Sequence, residues 1–227
     1  MPKNAQKGKL IVFLGPVGVG KSTIIRGLAQ VLKTRGFRVF TIFIKAFHGP
    51  VYVLWILTVK LLGLGSRYAP WFIIPKSGRI NLAKMLMVVS IYLDAFFSIP
   101  LKLIVTRILR HAGYYILSEE YIQSTLFDYI FTFINFNIKS KYINIPMKVL
   151  YSLLSKYPPD ITIVLIADLS ELMHRWMIRG YGDPQPRYVL LQSLFFERLN
   201  NNVLLINTTN VKIIDILNNI SGKIIKI

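Results

Sequence analysis

A glycine-rich stretch near the amino end contains residue types that together can hold a polyphosphate. It fits the Walker A spacing G-x-x-x-x-G-K-[ST] and consists of Gly15, Pro16, Val17, Gly18, Val19, Gly20, Lys21, Ser22 and Thr23. Glycines let the backbone fold round an anion with its N–H groups pointing inward. The lysine of this pattern reaches the β- and γ-phosphates, and the Ser22 hydroxyl is suited to ligate Mg²⁺. The stretch predicts a nucleotide-phosphate site, with ATP and Mg²⁺ as cofactors.

The segments on either side of the loop have the order that such a site requires. An apolar run at residues 9–14 is typical of a buried strand, and apolar residues repeat at helical spacing after Thr23. The helix adds the positive end of its dipole, which favours a bound anion. A glycine-rich turn without a ligand is the alternative interpretation. Five short apolar runs in all predict strands, at residues 9–14, 37–44, 114–117, 161–167 and 203–206.

Two carboxylates follow the third predicted strand, in the sequence Ser118-Glu119-Glu120-Tyr121. Ligands bind at the carboxyl ends of the strands in open α/β sheets. Glu119 is therefore a candidate metal ligand, or a base that accepts a proton from the acceptor. The alternative is that both acids complement the dipole of a helix predicted over 120–136.

A pair of arginines precedes a turn-rich segment in the second half of the chain. Arg175 and Arg179 lie four residues apart, and therefore on one face of a helix. We expect residues 175–187 to form a lid whose arginines stabilise charge during phosphoryl transfer. A solvated surface pair is the alternative, since exposed arginines are common.

The region between the second and third strands is apolar and rich in aromatic residues. It predicts helices at 51–62, 81–98 and 101–111, with an irregular connector over 63–78 and a new helix after Pro100. We expect residues 49–112 to bind the acceptor, although most of the aromatic residues are individually expected to be core.

Composition limits the class of protein further. The chain has 227 residues, no cysteine and a net charge of +18, which suits one α/β domain over 1–227 and excludes disulfides and zinc–thiolate sites. Residues 1–118 hold 17 Lys or Arg and one acid, Asp94. This asymmetry indicates an anionic partner, either nucleotide phosphates, an acidic membrane surface or nucleic acid, or else a solvated basic surface. With no clear secretory signal or membrane span, we predict a cytoplasmic protein.

The sequence resembles the thymidylate kinase group of P-loop kinases over nearly its whole length. The resemblance rests on Gly15–Thr23, on the strand that ends Ser118-Glu119-Glu120-Tyr121, on Pro159-Asp160, on Arg175–Gly180, and more narrowly on His48-Gly49-Pro50 and Ile91–Asp94. It implies a three-layer α/β/α P-loop NTPase fold with a five-stranded parallel sheet in the order 2-3-1-4-5. It also implies transfer of the γ-phosphoryl group of Mg·ATP to a small acceptor, most simply a nucleoside monophosphate. By the same resemblance, Lys21 and Ser22 bind the triphosphate, Glu119 is the metal acid, and Arg175 and Arg179 belong to the lid.

Two positions depart from the pattern of that group. Val17 stands where those kinases carry an acid in the loop, and Glu120 stands where an arginine grips the phosphate of the acceptor. A carboxylate repels a nucleoside monophosphate, so the acceptor stays open. The alternatives are an apolar or lipid-linked acceptor at a membrane surface, and a nucleotide-binding protein without turnover. No motif for reading DNA or RNA is present, so no nucleic-acid partner is predicted. Weak contact with an anionic membrane and a homodimer are left open.

Overall fold

The chain folds into two compact units, seen in a computed structural model that describes residues 8–65, 69–178, 185–199 and 203–226. The first, here called the sheet unit, consists of Met1–Ile44, Ile104–Tyr121 and Pro158–Ile227. The second, the helical unit, consists of Lys45–Leu103 and Ile122–Tyr157. A single domain over 1–227 stays a prediction.

The sheet has five parallel strands in the described residues, in the order β2-β3-β1-β4-β5. Order and number agree with the prediction. The strands are β1 (Leu10–Leu14), β2 (Val39–Phe43), β3 (Tyr115–Glu119), β4 (Ile161–Ile166) and β5 (Val203–Asn207). Every residue of the central strand β1 is buried, because helices cover both faces of a parallel sheet.

The helices of the described residues occupy most of the remaining chain. In chain order they are α1 (Lys21–Thr34), α2 (Pro50–Leu61), α3 (Pro70–Lys76), α4 (Ile80–Leu93), α5 (Ile99–His111), α6 (Ile122–Asn135), α7 (Asn144–Lys156), α8 (Leu169–Ile178), α9 (Pro186–Glu197) and α10 (Ile213–Lys226). A π-helical turn, Asp94–Ser98, joins α4 to α5, and a 3₁₀ turn, Ser140–Tyr142, precedes α7. The fold is the three-layer α/β/α class predicted from the sequence.

Two predictions in the helical unit were wrong. The connector expected over 63–78 contains α3, which Pro70 opens from a first-turn position that needs no N–H donor. The helix break expected at Pro100 does not occur. Instead the N–H of Ile99 donates to the carbonyl of Asp94, a bond that spans five residues, and the π turn carries the helix past the proline.

The uninterrupted helix Ile80–His111 is 32 residues long, and its most apolar 18-residue window has a mean hydropathy of 1.8. By length and composition it is able to cross a membrane, which the sequence did not predict because Pro100 was expected to end it. The core helix of a soluble protein passes the same test, and 39% of this window is buried inside the protein.

Candidate nucleotide-phosphate site

The loop between β1 and α1 requires its glycines for conformation and for space. Gly15, Gly18 and Gly20 have φ angles of 142°, 90° and 100°, values that side chains disfavour. A Cβ atom on Gly15 would lie 2.3 Å from the carbonyl oxygen of Leu165, so this position also tolerates no side chain. Helix α1 then begins at Lys21 without a side-chain cap, which leaves the positive end of its dipole facing the loop.

The side chain of Lys21 turns back over the loop and is almost fully buried. Its Nζ lies 2.6 Å from the carbonyl oxygen of Gly15, 3.0 Å from that of Pro16 and 3.0 Å from Oε1 of Glu120. An ammonium group has three N–H donors, and these three acceptors can engage all of them. Lys21 must therefore exchange at least one of these contacts to bind a phosphate.

Glu120, the acid in this ion pair, is held in place by its own backbone. Its φ is 66°, in the left-handed region, and the residue is 2% exposed. Its N–H donates to the carbonyl of Phe13 on β1, and its carbonyl accepts a hydrogen bond from the Ser118 hydroxyl. The sequence predicts Glu120 near the acceptor and gives no sign of its contact with Lys21.

Ser22 and Glu119, predicted as the metal pair, lie together. The Ser22 hydroxyl donates to Oε1 of Glu119 at 2.7 Å, because the pairing of β1 with β3 sets Phe13 opposite Glu119. A hydroxyl beside a carboxylate suits Mg²⁺, which takes few protein ligands and completes its shell with water and phosphate oxygens. The alternative helix-dipole role is wrong, since α6 starts at Ile122 and has no acid in its first turn.

Arg175 on α8 lies beside the loop. Its Nε donates to Oε1 of Glu171 at 2.6 Å, and its Nη1 lies 3.5 Å from both the carbonyl oxygen of Gly18 and Oγ1 of Thr208. Arg179 and the middle of the predicted lid, residues 179–184, fall outside the described residues. The lid over 175–187 therefore stays a prediction.

Two side chains that the sequence analysis did not connect with the loop hold its backbone. The buried Gln192 of α9 accepts the Val17 N–H through Oε1 at 2.9 Å. The Thr208 hydroxyl, just after β5, lies 3.2 Å from the carbonyl oxygen of Val19. Val17 thus makes its polar contact with α9 through its backbone N–H.

The helical unit contains a buried polar cluster of its own. Oδ2 of Asp94 accepts hydrogen bonds from the Tyr129 hydroxyl at 2.7 Å and from the Phe47 N–H at 3.0 Å, while its Oδ1 has no hydrogen-bond partner. Burial raises the pKa of Asp94 to about 6, against the opposing effects of these hydrogen bonds and of the Lys102 charge. Burial and the Asp94 charge raise the pKa of Tyr129 well above its usual value.

Two side chains in or next to the predicted acceptor region make contacts of a structural kind. Trp55 is fully buried and donates to the Ser90 hydroxyl, as expected of a core aromatic residue. The His48 ring nitrogen Nδ1 lies 2.6 Å from the carbonyl oxygen of Ala46, a local contact that agrees with a structural role. Binding of an acceptor by residues 49–112 stays a prediction.

Comparison with known proteins supports the fold. No protein-family model and no curated protein matches the sequence. One of the solved structures that match is a thymidylate kinase from Candida albicans, with a TM-score of 0.58, 18% sequence identity, and coverage of 97% of this chain and 92% of that chain. Another is a deoxyadenosine kinase from M. mycoides with bound dCTP, with a TM-score of 0.55, 15% sequence identity, and coverage of 96% of this chain and 99% of that chain. The chain therefore has the thymidylate kinase-like P-loop kinase fold that its sequence predicted.

Proposed function

We propose that the protein is a phosphotransferase that moves the γ-phosphoryl group of Mg·ATP to a small acceptor, a nucleoside monophosphate being the simplest class. The 2.7 Å contact between Ser22 and Glu119 carries this proposal. It sets a hydroxyl and a carboxylate beside the loop lysine, at the carboxyl ends of β1 and β3. A site that only bound an anion would gain nothing from a carboxylate there, whereas a site for a metal-bound triphosphate needs one.

The loop and the side chains beside it divide the parts of this reaction. The backbone amides and the open end of α1 hold phosphate oxygens, and Lys21 adds a cation that stabilises the transferring charge. Ser22 and Glu119 are the residues that would hold Mg²⁺, which when bound neutralises charge on the β- and γ-phosphates. Arg175 lies close enough to the loop to contribute a second cation, and Arg179 is assigned to the lid on sequence grounds.

The acceptor is the open part of the proposal. The names of the two structural neighbours indicate a nucleotide and a nucleoside as acceptor classes to test. Glu120 argues against gripping an acceptor phosphate in the manner of thymidylate kinases, because a carboxylate paired with Lys21 supplies no cation for that phosphate. A panel should therefore contain nucleoside monophosphates, deoxynucleosides, and simple and lipid-linked alcohols.

Transfer from γ-labelled ATP across this panel, with and without Mg²⁺, tests the proposal. We expect labelled product from one acceptor class, and a loss of roughly 10²–10³-fold in turnover for Lys21→Ala, the size seen when one charge-stabilising group is removed. Lys33→Ala makes the same chemical change at an exposed site on α1 and should leave turnover unchanged. Absence of transfer to every acceptor, with no stabilisation by Mg·ATP, would contradict the proposal.

The ion pair between Lys21 and Glu120 favours a second candidate, a nucleotide-binding protein without turnover. In this case the pair keeps the lysine from the γ-phosphate, and ATP binds through the loop amides alone. A rise in melting temperature with Mg·ATP, combined with no transfer across the panel, would favour this candidate. A cytoplasmic location remains a prediction under either function, and a homodimer remains open.

A further inference from the structure

The helical unit has one sign of charge at its surface. Its two segments, 45–103 and 122–157, contain eleven Lys or Arg and two acids, Asp94 and Asp128. Both acids are buried, Asp94 against Tyr129 and Asp128 within 3.6 Å of Lys45. Both carboxylates of this unit are therefore almost withdrawn from solvent, and its exposed charges favour an anionic partner.

An apolar groove of about 400 Å³ lies in the same unit, between α4 and the segment that precedes α7. Its walls include Met85, Val89, Ile138 and Tyr142, and Lys84 and Lys139 also line it. Met85 is 56% and Tyr142 50% exposed, although both are large and mostly apolar. We call these six residues the lysine-lined face.

The apolar surface continues beyond the groove along α4 and the π turn that follows it. Tyr92 and Phe96 follow Val89 at helical spacing, their rings stack with centroids 6.1 Å apart, and Phe96 is 52% exposed. Lys141 lies next to the groove, with its Nζ 4.9 Å from the ring centre of Tyr142. Soluble monomers rarely expose a continuous apolar patch of this kind unless it binds something.

We propose that the lysine-lined face binds the surface of an anionic lipid bilayer. Lysines attract acidic headgroups, while exposed apolar and tyrosine side chains enter the boundary between headgroups and acyl chains. A second copy of this chain is the poorer occupant, because two such faces would bring lysines together with no carboxylate between them. Contact is at the surface, since α4 packs against α2, α3 and α7 and the helix carries the buried Asp94.

Flotation of the full chain with vesicles tests this proposal without reference to catalysis. We expect binding to vesicles of phosphatidylcholine mixed with phosphatidylglycerol, little binding to phosphatidylcholine alone, and release at about 1 M salt, where the Debye length falls to about 3 Å. Lys139→Gln/Lys141→Gln should lower the partition coefficient roughly 30-fold, since each basic residue near an anionic surface contributes about 1 kcal/mol. Met85→Gln/Val89→Gln tests the apolar side chains of the face and should also lower the partition coefficient.

A matched variant separates the face from overall charge. Lys33→Gln/Lys212→Gln removes two exposed lysines from the sheet unit and should leave vesicle binding nearly unchanged. Unchanged melting temperatures show that all variants are folded. The proposal is overturned if the protein does not bind anionic vesicles at low salt, or if the two lysine variants lose equal amounts of binding. Preferential binding of single-stranded RNA would also overturn it. So would a protein that binds no vesicles and forms a dimer that Met85→Gln/Val89→Gln dissociates.

Discussion

The two units of this chain place their acidic residues in opposite ways. Eight of the ten acids belong to the sheet unit, where Glu119, Glu120 and Glu171 contact polar or basic side chains around the phosphate loop. The two acids of the helical unit are both buried, and its exposed charges are basic. In one unit carboxylates contact the candidate phosphate site, and in the other their burial leaves basic side chains at the surface.

This comparison also separates two kinds of buried carboxylate. Glu120 is paired with a cation, so the cost of its burial is offset as long as Lys21 stays in place. Only one carboxylate oxygen of Asp94, Oδ2, accepts hydrogen bonds within bonding geometry. Its pKa rises because burial disfavours the charged form. Loss of the pair of Lys21 with Glu120 should therefore lower the free energy of unfolding, whereas the contribution of Asp94 to that free energy should change with pH.

The largest effect is expected from Glu120→Gln. Loss of the carboxylate leaves the Lys21 ammonium buried without its counter-charge, which should lower the free energy of unfolding by about 3 kcal/mol. Stabilisation by Mg·ATP should increase, because the lysine no longer exchanges an ion pair for a phosphate. Urea unfolding with and without Mg·ATP measures both. As a control, Glu197→Gln changes an exposed acid of the same unit and should change the free energy of unfolding by less than about 0.5 kcal/mol. An equal loss in the two variants would show that the pair of Lys21 with Glu120 does not stabilise the fold.

Asp94 should give the helical unit a pH-dependent stability. Its pKa is raised from 3.8 to about 6, so the folded state holds this proton more tightly than the unfolded state. The stabilisation is fully present below pH 4 and is lost as the pH rises through 6, by about 3 kcal/mol in all. Unfolding free energies of wild type and Asp94→Asn across this range should show the step only in wild type. A step of the same size in Asp94→Asn would assign it to other groups.

Tyr129→Phe should shift that step. The Tyr129 hydroxyl donates to Asp94 and lowers its pKa, so its loss should move the midpoint of the step to higher pH. The lost hydrogen bond should also cost about 1–2 kcal/mol at neutral pH, where the carboxylate is charged. The same pH series measures both effects, and an unmoved midpoint would show that the hydroxyl does not interact with the charge.

Arg110→Gln should have the smallest effect. Arg110 pairs with Asp160 at 2.7 Å, but both side chains are partly exposed, and Asp160 keeps its hydrogen bond from the Leu10 N–H. Pairs in contact with water contribute about 0–1 kcal/mol. A loss in urea unfolding as large as that of Glu120→Gln would contradict the distinction between buried and partly exposed pairs.

The sequence predicted the features that the backbone determines locally. The spacing of the loop, the apolar strands and the strand order follow from short patterns and the resemblance. Ser22 and Glu119, each predicted from the sequence as a metal ligand, lie in contact. The ion pair between Lys21 and Glu120 was missed because a left-handed residue after β3 redirects the side chain. The helix through Pro100 was missed because a π turn there supplies an alternative hydrogen bond. The contact of Gln192 with Val17 joins residues 175 positions apart and has no local sequence signal.

The central claim is that Lys21, Ser22 and Glu119 form a site for a metal-bound triphosphate, and calorimetric titration with ATP tests it most directly. Wild type should bind ATP at least about tenfold more tightly with Mg²⁺ than with a chelator, and Glu119→Gln should lose most of that difference, worth about 1.4 kcal/mol. Equal affinity with and without Mg²⁺ in both proteins, or no binding of ATP at all, would contradict the account.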